Sequence, residues 1–189
     1  QLQNAGKERI IDLIDSRMDV AESSMANLIA SGLYSDGTAA GGKQIDGLLK
    51  QVSTTPTNTV GGIDRSTWLF WKNQYFRCTT TGGAAMSASN VQTYFNRMWA
   101  SLVRGNDRPD LIMVDNITWG FYMASLQAQQ RFTGTDTAKL GFMSVKFMDA
   151  DVVLDGAMQI TWTSTGAAGT APNSVPATSA YFLNTKYLF

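Results

Sequence analysis

The hydrophobic pattern is most regular near the start of the chain, where apolar residues recur at intervals of three and four. From about Asn4 to Ser31 this spacing predicts one long helix, because it places apolar side chains on a single face. The stripe consists of Ile14, Met18, Ala21, Met25, Leu28 and Gly32, widened by Ile10, Ile11 and Ile29. Such a helix would be about 40 Å long. We therefore expect it to follow a domain edge or support neighbouring subunits, with a coiled coil as the competing interpretation.

A glycine-rich loop, a short apolar segment and an aromatic strand are predicted next. The loop covers Tyr34–Lys43, and Ile45–Val52 reads as a turn or short helix. Residues Trp68–Cys78 have the composition of a strand. Because side chains alternate along a strand, Trp68 and Trp71 would lie on opposite faces. We expect one of these tryptophans to pack in the core and the other to contact a neighbour.

The second half of the chain alternates predicted helices and strands. Ser89 is predicted to cap a helix that stops at Gly105, and Asn116 to cap one that continues to about Gln130. The inward positions of the latter helix are Trp119, Tyr122, Met123 and Leu126. Strands are predicted at Leu111–Val114, at Val145–Leu154 with a turn or bulge near Asp149, and at Tyr181–Phe189. Strands and helices around one apolar sheet predict an α+β or α/β core, and α+β is the fold class that we adopt.

A long segment rich in Thr, Ser, Ala, Gly and Pro separates the last two predicted strands. It covers Gln159–Ser179, and at about twenty residues it exceeds the usual length of a loop in a compact domain. Such a segment is either disordered or ordered by a partner. Trp162 within it favours a partner, and we expect the loop at an exposed surface or axis of an assembly.

Composition narrows the classes of function. Charged residues make up 16% of the chain, against about 25% in typical globular proteins, which favours faces that are covered by neighbours. The net charge is zero, so no overall field attracts nucleic acid or a membrane surface. The chain has no histidine and a single cysteine, Cys78, which excludes an intramolecular disulfide and is interpreted as a small strand residue in a reducing compartment. No membrane span or signal peptide is recognisable.

The candidate chemical groups do not form a recognisable catalytic pattern. Asp149, Asp151 and Asp155 could be an acid–base or metal site, but their spacing matches no Ca²⁺ loop and favours solvated strand ends. Asp64 and Arg65 could meet a charge on a partner or form a local pair. The serines lack a base, so we predict no enzyme activity, no cofactor and no metal. Base stacking on the aromatic run near Lys72 is a further, less favoured interpretation.

Four stretches of the sequence together carry a family resemblance. They are VGGIDRSTWLFWKN, RMWASLVRGNDRPDLIMVDNITWGFYMASLQAQQRF, GFMSVKFMDADVVLDG and YFLNTKYL. In content and order they resemble the major capsid protein of tailed bacteriophages, which implies the Hong Kong-type capsid fold. The resemblance makes residues 1–35 the spine helix of a peripheral-like domain and residues 36–189 an axial-like α/β domain. It also implies a fragment, lacking an amino-terminal arm with its extended loop and carboxyl-terminal strands.

The resemblance implies a structural virion protein. Its partners would be copies of itself, arranged as pentamers and hexamers in an icosahedral shell, together with scaffolding and portal proteins and packaged DNA that is contacted without sequence specificity. It would be assembled in the bacterial host cytoplasm, with no membrane involved. The alternatives are an encapsulin-like compartment shell and a monomeric module that binds through exposed tryptophans. The motif and assembly candidates are Gly61, Gly62, Asp64, Arg65, Trp68, Trp71, Asn73, Arg108 and Trp162.

Overall fold

A computed structural model of the chain describes residues 7–126, 144–158 and 176–187. The strands in the second half of the chain form one four-stranded mixed sheet. Six strands are present in these residues: β1 (Thr59–Val60), β2 (Ile63–Asp64), β3 (Leu111–Val114), β4 (Ser144–Phe147), β5 (Ala150–Leu154) and β6 (Ala180–Leu183). The sheet has the order β4-β5-β3-β6, with β3 parallel to β5 and antiparallel to β6. β4 and β5 form a hairpin that turns at Met148 and Asp149, as predicted.

The helices in the described residues comprise one long helix and four shorter ones. They are α1 (Lys7–Gly32), α2 (Ala39–Gly42), α3 (Leu48–Gln51), α4 (Val91–Leu102) and α5 (Asn116–Ser125). The predicted first helix is therefore confirmed over 26 residues, and it ends at the expected glycine. Together with the sheet, these helices make the chain a mixed α+β protein.

Each face of the sheet is covered by a different part of the chain, because strand side chains alternate between the two faces. On one face Phe95 from α4 lies at the centre of an aromatic cluster. Its ring centroid is 5.5 Å from Tyr122, 5.5 Å from Phe147 and 5.3 Å from Phe182. Burial raises the pKa of Tyr122 to about 12, so its hydroxyl stays protonated and donates to the carbonyl oxygen of Lys146. The predicted inward face of α5 is thus confirmed.

The second face is covered by residues that follow α1 and β5, and α1 itself contacts the 3₁₀ turn Gly156–Met158. Tyr34 follows this helix and is buried with Met158, Tyr181 and Leu183. Its hydroxyl donates to Asp155 Oδ2 at 2.7 Å, and burial together with this carboxylate raises the tyrosine pKa well above its usual value. The contact fixes only the end of α1. Residues 13–29 of the helix extend away from the sheet and are exposed.

Both predicted helix caps are wrong. Asp115, not Asn116, caps α5, because the Asp115 side chain accepts a hydrogen bond from the Thr118 N–H at 2.8 Å. α4 begins at Val91, and neither Ser89 nor Asn90 caps it. Instead, the Asn90 side chain accepts from the Ser87 N–H and donates to the Ala85 carbonyl, which closes a turn before the helix.

Three predicted boundaries also differ. α5 ends at Ser125, before the predicted Gln130, and Gly105 follows the end of α4 in a separate tight turn with φ of 60°. β6 ends at Leu183 because Asp110 accepts hydrogen bonds from the N–H and hydroxyl of Thr185, which draws the chain into a 3₁₀ turn. Most of the predicted loop, residues 159–175 with Trp162, lies outside the described residues.

Asp115 connects α5 to the start of β6, and its replacement should destabilise the fold. The carboxylate is fully buried and also accepts a hydrogen bond from the Thr178 N–H at 2.7 Å. We expect Asp115→Ala to lower the free energy of unfolding by about 2 kcal/mol, because a cap is lost and the N–H groups of Thr118 and Thr178 are left unpaired. Urea denaturation measures this, with Asp115→Asn as the control that keeps one acceptor. A loss below about 0.5 kcal/mol would contradict the assigned role of this cap.

Candidate assembly surfaces

The segment Thr59–Asn73 begins with a β-hairpin. Thr59 pairs with Asp64 and Val60 with Ile63, so Gly61 and Gly62 form a two-residue turn. Their φ values are 58° and 78°, which is the left-handed conformation that such hairpin turns require. The two glycines therefore set the direction in which the following residues leave the hairpin.

Asp64 and Arg65 act separately, although they are adjacent. Asp64 accepts hydrogen bonds from Ser66 and Thr67, and the Ser66 hydroxyl and N–H are the main cause of its lowered pKa. Arg65 forms no salt bridge with a described residue, so the local Asp64–Arg65 pair is not formed. Because only 4% of Arg65 is exposed, it is also not positioned to meet a partner's carboxylate.

Arg65 instead ties three parts of the chain together. It donates from Nη1 to Asn73 Oδ1 at 2.8 Å and from Nη2 to the Gln51 carbonyl at 2.7 Å. Asn73 in turn donates to the Ser53 carbonyl at 2.9 Å. Burial lowers the pKa of the guanidinium, but its usual value is so high that it remains charged. These bonds hold both ends of the segment between Arg65 and Asn73 against α3.

The residues between those ends form an exposed cluster, Trp68–Trp71, which we call the aromatic ridge. It is a 3₁₀ turn, closed by hydrogen bonds from Trp68 N–H to Asp64 and from Trp71 N–H to Trp68. The predicted strand over Trp68–Cys78 is therefore wrong: Leu69–Trp71 form a 3₁₀ turn, and residues 72–77 have no regular secondary structure. Cys78 likewise lies in a turn.

Neither tryptophan packs in the core. Trp68 is 55% exposed and Trp71 50%, which contradicts the prediction that one of them is buried. Phe70, between them, is 74% exposed, and its ring contacts both indoles edge to face at 6.0 and 6.3 Å. The ridge is thus a preformed surface of large rings rather than part of the interior.

A second exposed apolar surface lies on α1. We call it the apolar stripe: Ile14, Met18, Met25, Leu28 and Ile29, whose exposures range from 49% to 75%. Apolar patches of this kind mark interaction sites more often than isolated exposed hydrophobic residues do. The regular spacing indicated an amphipathic helix, but which side of it the domain would cover could not be read from the sequence.

The remaining candidates do not form a common site. Arg108 and Asp149 form an exposed salt bridge of 2.9 Å, and Asp151 lies 3.8 Å from Lys146. Asp155 accepts from Tyr34 and from the Ala157 N–H. Among the described residues no group of acidic or cysteine side chains could hold a metal ion. Trp162 lies outside the described residues.

Replacing Arg65 should release the aromatic ridge from the fold. We expect Arg65→Met to lower the free energy of unfolding by about 1–3 kcal/mol, because two partly buried acceptors lose their charged donor. Limited proteolysis within residues 66–72 should accelerate more than global unfolding. Arg108→Met is the matched control, since an exposed ion pair contributes about 0–1 kcal/mol. Equal effects of the two substitutions would contradict the role assigned to Arg65.

Comparison with protein-family models, curated proteins and solved structures identifies no match for this chain. Among the described residues, no helix has both the length and the apolar character to span a membrane.

Proposed function

We propose that this chain is a subunit of a self-assembling protein shell. The observation that carries the proposal is the exposure of two apolar surfaces, the aromatic ridge and the apolar stripe, on a chain with few charges. Exposed aromatic and methionine side chains are characteristic of the centres of protein–protein interfaces. Covering both surfaces requires contacts at two separate places on each copy.

The arrangement of these surfaces supports an assembly larger than a dimer. Repeated contacts between two different surfaces of identical subunits produce rings when the rotation closes. Rigid presentation also favours association, because the Arg65–Asn73 contact orders the ridge before a partner arrives. Many modest contacts of this kind add up to a stable shell.

The sequence resemblance makes the proposal more specific. A major capsid protein of the tailed bacteriophage type would use α1 as the spine helix and the sheet domain as the axial domain of a Hong Kong-type fold. In that role the chain would form pentamers and hexamers of an icosahedral virion shell around phage DNA, with scaffolding and portal proteins as further partners. The α+β fold and the long projecting helix are compatible with this role.

Sedimentation velocity over a range of protein concentrations tests self-association. We expect discrete oligomers that grow with concentration, because both apolar surfaces are exposed in the single copy. A single monomer boundary up to about 100 μM would contradict the proposal, since stable interfaces have dissociation constants well below that value. In that case the exposed tryptophans would favour the monomeric binding module instead.

A further inference from the structure

An apolar groove runs beside β6, the strand at one edge of the four-stranded sheet. Its volume is about 730 Å³, which is within the range of clefts that bind ligands or side chains, about 300–1,000 Å³. Phe95, Met98 and Leu102 of α4 and Phe182 of β6 line one part of it. The chain that follows the aromatic ridge, residues 70 and 72–79, lines another part.

The charged residues that line this groove are basic in the part of the chain that the structure describes. They are Lys72, Arg77 and Arg104, and none of the described lining residues is Asp or Glu. All three cationic residues are exposed. The chain as a whole has equal numbers of acidic and basic residues, so this local excess is specific to the groove. An occupant that combines an apolar surface with carboxylates would match it.

α1 carries the complementary pattern. In residues 13–32 it has three carboxylates, Asp15, Asp19 and Glu22, and a single base, Arg17. At about 100° per residue, the three carboxylates lie on one border of the apolar stripe, about 80–140° around the helix from Ile14. Because residues 13–29 are exposed along their whole length, the stripe and its acidic border are free to meet another molecule.

We propose that α1 of one copy lies in the groove of a second copy, with the apolar stripe against the groove's apolar lining and the acidic border facing its cations. An amphipathic helix in an apolar groove is a common mode of recognition, with anchors three, four and seven residues apart. The contact joins two different surfaces, so each copy offers a helix to one neighbour and a groove to another. The inference rests on the self-association in the proposed function and specifies its contact.

A reciprocal charge exchange in the full chain tests this arrangement. The helix variant carries Asp15→Lys and Glu22→Lys, and the groove variant carries Lys72→Glu and Arg104→Glu. Either variant alone places like charges opposite each other, and we expect its apparent dissociation constant to rise at least about tenfold. In an equimolar mixture the two variants can alternate, and every helix–groove contact between unlike variants then joins opposite charges. The apparent dissociation constant of the mixture should therefore lie within about threefold of the value for the unmodified protein.

The control variant carries Lys43→Glu and Lys186→Glu, which changes the net charge as much as the groove variant does but outside the groove. It should associate like the unmodified protein. If the mixture stays as weak as the single variants, or if the single variants associate normally, α1 is covered by something other than this groove and the inference is overturned. Self-association of the unmodified protein would still support the proposed function. A monomeric unmodified protein would overturn both.

Discussion

Replacing Phe95 with alanine should lower the free energy of unfolding by about 3–5 kcal/mol, the largest stability effect that we expect from one substitution in this chain. Phe95 is 2% exposed and contacts three aromatic rings that come from α5, β4 and β6. Removing its ring leaves a cavity between helix and sheet, which the surrounding elements can fill only in part. Urea denaturation followed by circular dichroism measures the loss.

Phe70→Ala is the matched control, because it makes the same change at a side chain that is 74% exposed. We expect it to change the free energy of unfolding by less than about 0.5 kcal/mol, as surface substitutions usually do. It should weaken self-association instead, since the aromatic ridge loses its central ring. A stable Phe95→Ala variant, or a strongly destabilised Phe70→Ala variant, would contradict the division into core and surface.

The double substitution Met18→Lys and Met25→Lys should abolish self-association while leaving the fold intact. Both methionines lie on the apolar stripe and are 65% exposed, so neither contributes to the core. Lysine has nearly the helix propensity of methionine, and the helix should therefore persist. If the apolar stripe is buried in an interface, however, the two new lysine charges lose their hydration without gaining a partner, which opposes association. Sedimentation velocity should show the variant as a monomer at concentrations where the unmodified protein associates.

Ser16→Lys with Ser23→Lys is the control for this effect. These serines have the same spacing of seven residues and lie on the opposite side of α1, so the change in charge is identical. We expect this variant to associate normally. If both double variants associate equally well, the apolar stripe is not an interface. If both are monomeric, net charge rather than the stripe controls association.

The elements with a strong repeating pattern could be predicted from the sequence. α1 and the β4–β5 hairpin have periods of hydrophobic residues that agree with their structures, and β3 is a short continuous apolar run. The caps were harder, since Asp115 and Asn116 are both suitable N-cap residues. Asp115 is the cap in the structure, and its side chain also accepts a hydrogen bond from the Thr178 N–H, a distant contact that the local sequence does not show.

The aromatic ridge could not be predicted because its composition is that of a strand. Its conformation depends on Arg65, whose hydrogen-bond partners lie 8 and 14 residues away. Such long-range contacts override local propensity. Arg65 and Asn73 both belong to the aromatic motif of the sequence, but the sequence does not reveal that they bind each other. The groove depends on residues that are about 100 positions apart, and no local pattern indicates it.

Electron microscopy of the protein, purified at high concentration, tests the central claim most directly. The account predicts closed shells of uniform diameter, with rings of five and six subunits in the averaged images. Particles should disappear in the Met18→Lys, Met25→Lys variant and remain in the Ser16→Lys, Ser23→Lys variant. A folded protein that forms no particles, rings or larger assemblies under these conditions would contradict the account.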